Sequence, residues 1–266
     1  MHRVVFNRFP GGVSRCLTMS YDDGRKEDVR LVEIFNKNGI KGTFHLNSGF
    51  FCRDNVISFE DVKDLYKGHE VSCHMATHPW PTIIPETAKL AEIYEDRKAL
   101  EKACGYPVRG MSYPYGNFDD ETIKVIKNTG IEYSRTVHST NNFDIPEDFL
   151  RWDPTCHHRH DIIDKIPVFL DPGRDSHYNL FYVWGHSYEF SHNNNWELIE
   201  EFCAKISGLE NVWYATNIEI VDYINATKSL RMSLELDSFY NPSAISVWLT
   251  VDGQTLEIPA GTTVKI

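Results

Sequence analysis

Short apolar runs alternate with helical patterns from Cys16 to about Ala226, and this alternation restricts the fold more than any other feature of the sequence. Neighbouring parallel strands need long crossover connections, usually helices, so repeated strand-helix alternation is typical of a parallel α/β protein. The chain has 266 residues, of which 41% are hydrophobic, enough to bury a substantial core. We therefore predict one large parallel α/β domain.

The local patterns give the positions of the elements. Val29, Val32 and Phe35 share one helical face before Gly39, and Asp119 is a helix-capping residue by type and position. We predict helices at residues 28–37, 86–104 and 119–128 and a further helix beginning near Ser58. The predicted strands are residues 16–19, 43–46, 71–73, 108–112, 131–137, 181–184 and 212–215.

The C-terminal segment has a different pattern. Residues 246–251 alternate in polarity, Asp252-Gly253 marks a turn, and residues 256–258 provide a partner strand. We divide the chain into a larger domain, residues 1–228, and a small β appendage, residues 229–266. Because roughly 35 residues seldom bury enough surface to fold alone, we expect the appendage to cover an apolar flank, with sugar binding as the alternative.

Four polar motifs follow directly after predicted strands: Asp22-Asp23, the pair His74 and His78, residues 113–116 (Tyr-Pro-Tyr-Gly), and Trp184-Gly185-His186. The carboxyl ends of the strands of a β/α barrel form one rim, where active sites collect. One carboxylate and two imidazoles make the open three-ligand set of a hydrolytic zinc site, and a second carboxylate is then free to act as a base. Taken singly, these motifs have plainer interpretations as a turn or cap, a surface histidine pair, a turn and a core histidine.

In this order the four motifs resemble the polysaccharide deacetylase family, the NodB-homology domains of carbohydrate esterase family 4. The resemblance covers roughly residues 12–226 and implies a distorted (β/α)7 barrel, NodB-like in form. It implies that Asp22 is the general base, and that the backbone N–H of Tyr115 and the side chain of His186 serve as oxyanion donor and general acid.

The resemblance also implies a metal site and a substrate pocket. The ligands would be Asp23, His74 and His78. Zinc is favoured by these ligand types, although cobalt or nickel also suits a mixed histidine and carboxylate set. The implied substrate-binding residues are Tyr113, Pro114, Trp152, Asp153 and Trp184.

The sequence departs from the family pattern in two motifs: the third lacks an arginine, and the fourth, an Asp-Trp loop that lines the pocket, has no clear match, with Arg151-Trp152-Asp153 as the nearest candidate. Relatives often carry an arginine that holds the base two residues before the proline of the third motif, but Ser112 stands there and the nearest arginine is Arg109. The run from His157 to His160, His-His-Arg-His, is predicted to be an exposed loop, with a pocket donor as the alternative.

The sequence thus predicts a metal-dependent deacetylase that removes N-acetyl or O-acetyl groups from a carbohydrate. The alternatives are hydrolysis of another small amide, such as a formyl group, and an inactive barrel that binds glycans through Trp80, Trp152 and Trp184. The formal net charge of −11 argues against nucleic acid or an anionic membrane as partner.

The remaining features concern the compartment of the protein. No apolar run approaches the roughly 18 residues of a membrane span, and the N-terminal residues do not resemble a signal peptide. Six cysteines are present without a C-x-x-C pair, so we do not expect disulfides. We expect a cytoplasmic protein unless a leader was removed; the sequence does not predict the oligomeric state.

Overall fold

The computed structural model describes residues 2–266, so Met1, the first residue of the larger predicted domain, lies outside it. The α-helices in this range are Asp28–Lys37 (α1), Val62–Leu65 (α2), Glu86–Cys104 (α3), Asp120–Lys127 (α4), Ile162–Phe169 (α5), Tyr188–His192 (α6), Trp196–Ile206 (α7) and Asn217–Ser229 (α8). The strands are Val4–Val5 (β1), Arg15–Asp22 (β2), Gly42–Leu46 (β3), Glu70–Cys73 (β4), Gly110–Ser112 (β5), Tyr133–Arg135 (β6), Cys156–His157 (β7), Asn179–Gly185 (β8), Val212–Tyr214 (β9), Arg231–Met232 (β10), Ser238–Tyr240 (β11), Val247–Val251 (β12), Gln254–Ile258 (β13) and Thr263–Lys265 (β14).

The central sheet is parallel and curled. Its strands follow the order β6-β5-β4-β3-β2-β8-β7, and β9 pairs with the first half of β2. Residues 152–157 connect the two edges, because Trp152 bridges to Arg135 of β6 while Cys156 pairs with Val183 of β8. The predicted distorted (β/α)7 barrel is confirmed: seven parallel strands form the curled path, and β9 lies beside it.

The interior of the barrel is polar near the carboxyl end of β2. All eight residues of this strand are buried, and successive side chains of a strand point to opposite faces. Leu17 and Tyr21 lie in the main apolar cluster. Ser20 and Asp22 point the other way, where both contact the guanidinium of Arg135. The alternation of β2 therefore carries a carboxylate into the barrel.

Most elements lie where the patterns predict them. Helices α1 and α3 have the predicted bounds, and the side chain of Asp119 caps α4 by accepting a hydrogen bond of 2.8 Å from the backbone N–H of Thr122. The helix predicted near Ser58 is reduced to the single turn of α2. The patterns missed β7 and helices α5 to α8, among them α8, which begins with a capping box of Thr216 and Glu219.

The predicted hairpin at Asp252-Gly253 is present, with β12 and β13 paired from Val247 and Ile258 to Val251 and Gln254. Strand β1 joins it through the pair Val4 and Val251, so the first strand of the chain shares a sheet with the predicted appendage. The boundary between residues 228 and 229 stays a prediction.

The six cysteines are free thiols, and five of them are buried. Within residues 2–266, no helix combines the length and apolarity that crossing a membrane requires.

Candidate active site

One cavity of about 770 Å³ opens at the carboxyl ends of the barrel strands. Asp22 is the last residue of β2, His74 follows β4 and His186 follows β8, so three separate strands deliver side chains to it. Eight of the predicted site residues line the cavity: Asp22, Asp23, His74, His78, Tyr113, Tyr115, Trp184 and His186. Residues far apart in sequence thus meet in one place.

The three predicted metal ligands form a compact donor set. Oδ1 of Asp23 lies 3.8 Å from Nε2 of His74 and 3.8 Å from Nε2 of His78, and the three donor atoms lie within 4.8 Å of one another. Asp23 and His78 both have positive φ, 78° and 55°, a backbone state that is costly for residues other than glycine and recurs at functional sites. This local strain turns both side chains toward the same point.

The hydrogen bonding of His74 and the pKa of His78 leave both imidazoles able to offer a nitrogen lone pair to a metal. Nδ1 of His74 lies 2.9 Å from the carbonyl oxygen of Ser112, so we place its proton there and leave the Nε2 lone pair facing Asp23. Burial and, as a smaller effect, the neighbouring His74 lower the pKa of His78 to about 4. His78 is therefore neutral at pH 7, the form that binds a metal. The set suits a divalent cation with nitrogen and oxygen ligands.

Helix α3 fixes the backbone of His74. The His74 N–H lies 2.9 Å from Oδ2 of Asp96, whose other oxygen accepts a bond of 2.8 Å from the N–H of Ser48. Asp96 is fully buried, and burial raises its pKa to about 7. The carboxyl group thus links two loops beneath the metal ligands.

The base candidate Asp22 is held by two groups. Ser112 donates a hydrogen bond of 3.0 Å to its Oδ1, and the guanidinium of Arg135 pairs with its Oδ2. Ser112 Oγ also lies 2.7 Å from Nδ1 of His74, so this serine connects the predicted base to a predicted metal ligand. Burial alone would raise the pKa of Asp22, but the charge of Arg135 holds that pKa well below its usual range. Asp22 is therefore ionised at neutral pH.

Arg135 supplies the arginine that the third motif lacks, and the sequence reasoning missed it. Its side chain is fully buried on β6 and stacks on Trp184, with Cζ 4.3 Å from the ring centroid. The available signal was a charged residue inside a predicted strand. Arg109 is engaged elsewhere, paired at 2.6 Å with both Glu132 and Asp222.

His186 stands beside a carboxylate that other histidines surround. Glu189 lies 3.0 Å from Nε2 of His157, 3.2 Å from Nε2 of His158 and 3.5 Å from Nδ1 of His186. Burial would lower the pKa of His186, but Glu189 and the charge of Asp22 outweigh it and raise the pKa above its ordinary value. The raised pKa favours the protonated form that a general acid needs.

The prediction of an exposed loop at residues 157–160 was wrong for His157 and His158. Both are buried, since His157 pairs in β7 and His158 stacks against Phe190 with ring centroids 4.3 Å apart. Sequence reasoning did not foresee Glu189, the shared partner that makes their burial tolerable.

The cluster of His157, His158 and Glu189 is close enough to be tested as a second metal site. Nδ1 of His157 accepts a bond of 3.2 Å from the N–H of Arg159, so its proton lies on Nε2 toward Glu189. Nδ1 of His158 has no hydrogen-bond partner among residues 2–266, whereas a metal-bound histidine donates its second N–H. The donor chemistry favours a hydrogen-bonded cluster around a carboxylate.

Three predicted substrate-binding residues do not line the cavity. Trp152 is fully buried and packs on Tyr182, with ring centroids 4.9 Å apart, because it belongs to the segment that closes the barrel. Asp153, on the same segment, accepts a hydrogen bond from Thr136, which follows β6. Pro114 is buried within the turn after β5. None of the three lines the cavity, so the structure gives no support to these three predictions.

Tyr115 and Trp80 form an exposed aromatic surface next to the predicted metal ligands. The Tyr115 ring stacks on Trp80, with centroids 4.3 Å apart and planes at 11°, and meets the ring of His78 at 4.4 Å. Its φ of 59° is positive, and within residues 2–266 its N–H has no backbone acceptor. The N–H is therefore free to serve as the predicted oxyanion donor.

Comparison with known proteins supports the resemblance to one family. Residues 11–134 match the family model described as polysaccharide deacetylase, which confirms the resemblance predicted from the motifs. A chitin deacetylase of Amylomyces rouxii is 29% identical over 116 residues, 42% of this chain and 26% of that protein. The chain thus spans about a quarter of the length of this relative.

Two solved structures show the fold. A protein from Mycobacterium smegmatis assigned as a polysaccharide deacetylase gives a TM-score of 0.63 at 16% identity, covering 84% of this chain and 94% of that one. A carbohydrate esterase family 4 pseudoenzyme from Bacillus anthracis gives 0.51 at 17% identity, covering 78% and 65%. At these identities the two likenesses show the fold alone.

Proposed function

We propose, on the premise of its confirmed resemblance to the polysaccharide deacetylase family, that this chain is a metal-dependent deacetylase acting on N-acetyl or O-acetyl groups of a carbohydrate. The observation that carries the proposal is the grouping, in one cavity, of a three-ligand metal set, an ionised carboxylate and a histidine with a raised pKa. This is the minimum set for hydrolysis of an acyl group by activated water.

The roles of the residues follow from their geometry. Asp23, His74 and His78 would hold a divalent ion, which would supply Lewis-acid chemistry by activating the attacking water and polarising the acyl carbonyl. Asp22 accepts the proton of the attacking water, in an orientation that Arg135 and Ser112 hold. The Tyr115 N–H donates to the carbonyl oxygen as negative charge develops there.

His186 completes the cycle. It donates its proton to the departing nitrogen, which leaves poorly as an anion. Glu189 lies beside its Nδ1, so the carboxylate stabilises the protonated imidazole until transfer.

The direct test is acetate release from a panel of acetylated sugars, with and without metal. We expect release by the protein loaded with zinc, cobalt or nickel, loss of release after chelation, and recovery when the ion returns. Formate release from a formyl amide alone would move the substrate to the alternative class. Glycan binding without any acyl release would place the chain with the inactive barrels.

The metal set predicts the effect of His78→Ala. We expect at least a 10-fold loss of zinc affinity, because the site falls from three ligands to two. Competition with a chromogenic chelator measures it. His138→Ala is the matched control, since the His138 side chain is 77% exposed and is not a ligand. Equal affinities for the two variants would remove His78 from the site.

The position of His186 predicts a difference between substrates. An activated ester has a leaving group of low pKa, whereas an amine must be protonated to leave. We expect His186→Ala to reduce kcat/KM for amide cleavage by at least 10-fold more than for cleavage of an activated acetate ester, compared as transition-state free energies. Equal losses on the two substrates would indicate a positioning role for His186.

A further inference from the structure

Arg25 is a charged cavity residue that the proposed reaction does not use. It lies on the loop directly after the metal ligand Asp23, lines the cavity and is half-buried. Its guanidinium carbon lies 5.4 Å from the ring centroid of Tyr188. Its Nε is buried and has no hydrogen-bond partner among residues 2–266. A buried donor without a partner is costly, so a ligand that pairs with it is favoured.

The carboxylates of the cavity are engaged by other groups. Asp22 pairs with Arg135, and Glu189 is bonded by His157 and His158. Asp23 belongs to the metal set. These carboxylates therefore do not neutralise the positive charge of Arg25, in a chain whose formal net charge is −11. Such a charge attracts anions to this cavity specifically, rather than to the surface in general.

The contacts of Arg25 place it on the leaving-group side. The ring of Tyr188, against which Arg25 lies, is 5.1 Å from the ring of His186. His186 is the proposed acid for the departing nitrogen, so the sugar that carries this nitrogen faces Tyr188 and Arg25. The acetyl carbonyl lies instead between the metal set and Tyr115.

From this arrangement, and resting on the proposed function, we propose that the substrate is an anionic carbohydrate whose sugar carries a carboxylate or phosphate bound by Arg25. The planar guanidinium donates two parallel hydrogen bonds to such a group. Arg159, which lines the same cavity with its side chain 55% exposed, adds a second positive charge. Neutral acetylated sugars lack the group that this side of the cavity pairs with.

The test compares three acetylated sugars: N-acetylglucosamine, N-acetylmuramic acid, which adds a carboxylate, and N-acetylglucosamine 6-phosphate. We expect the metal-loaded protein to favour at least one anionic sugar in kcat/KM by roughly 10-fold or more, and Arg25→Gln to lose that preference by roughly 10- to 100-fold. Arg25→Lys keeps the positive charge but loses the planar group that donates two parallel hydrogen bonds. It should therefore retain part of the preference that Arg25→Gln loses. The two anionic sugars distinguish a carboxylate from a phosphate.

Arg30→Gln is the matched control, because it removes the same charge from a surface pair with Glu200 outside the cavity. It should leave the preference unchanged. Equal rates on all three sugars, unaltered by Arg25→Gln, would overturn the inference while the deacetylase proposal stands.

A second arm measures binding of the same sugars by calorimetry, so the inference does not depend on turnover. If none of the sugars releases acetate, the deacetylase proposal loses support, yet anionic sugars that bind the unmutated protein and fail to bind Arg25→Gln still support the anion site. Equal binding of all three sugars to both proteins would overturn it.

Discussion

The Asp22→Asn variant should lose about 100-fold or more in kcat, because general base catalysis contributes at least that much and an amide cannot accept the proton. Metal content should be retained, since Asp23, His74 and His78 remain. The measurement is acetate release under saturating substrate, together with elemental analysis of the variant. Turnover near the unmutated rate would show that Asp22 serves only the structure.

Loss of activity in this variant has a second possible origin, because Asp22 is also the buried partner of Arg135. Removing one member of a buried ion pair leaves an uncompensated charge and costs about 3–5 kcal/mol. The double variant Asp22→Asn, Arg135→Gln separates the two effects. It should recover stability relative to Asp22→Asn alone, since no unpaired charge remains, but it should stay inactive.

The Arg135→Gln variant should lose about 3–5 kcal/mol of stability in the metal-free protein, because Asp22 is then buried without its cation. Arg135 is also bonded to the backbone oxygen of Thr136 at 2.8 Å and stacked on Trp184, so the substitution removes packing as well as charge. Urea denaturation measures the change. We also expect kcat/KM to fall, because the orientation of Asp22 is no longer fixed.

Arg109→Gln is the control for this prediction. Arg109 binds both oxygens of each of two carboxylates, but its side chain is 31% exposed and its partners Glu132 and Asp222 are 39% and 35% exposed. Exposed ion pairs contribute about 0–1 kcal/mol each. If Arg109→Gln destabilises the protein as much as Arg135→Gln, burial of the ion pair between Arg135 and Asp22 does not explain the loss of stability.

The fold was predictable because its signal is local. The apolar runs that became β2, β4 and β8 and the amphipathic pattern of α1 are readable from neighbouring residues alone. The two-residue strand β7 was missed because so short a segment carries no periodicity. Helix α5 contains Pro167, a residue that argues against a helix until tertiary packing outweighs it.

The grouping of the three predicted ligands was predictable for a related reason. Asp23, His74 and His78 follow predicted strands, and the ends of parallel strands converge whatever the details of the barrel. The orientation of Trp152 was not predictable, since its sequence neighbours do not reveal whether a side chain in a closing segment faces the cavity or the core. Trp152 faces the core.

The sequence by itself therefore determined the strand-helix order and the grouping of Asp23, His74 and His78 on one rim, because each depends on periodicity or on residues adjacent to a strand end. Only the tertiary structure decided which cations and carboxylates pair. Arg135 contacts Asp22 across 113 positions of sequence, and Glu189 of α6 contacts His157 and His158 at the end of β7. Such pairings depend on which side chains the curled sheet buries together, and burial strengthens them by removing water.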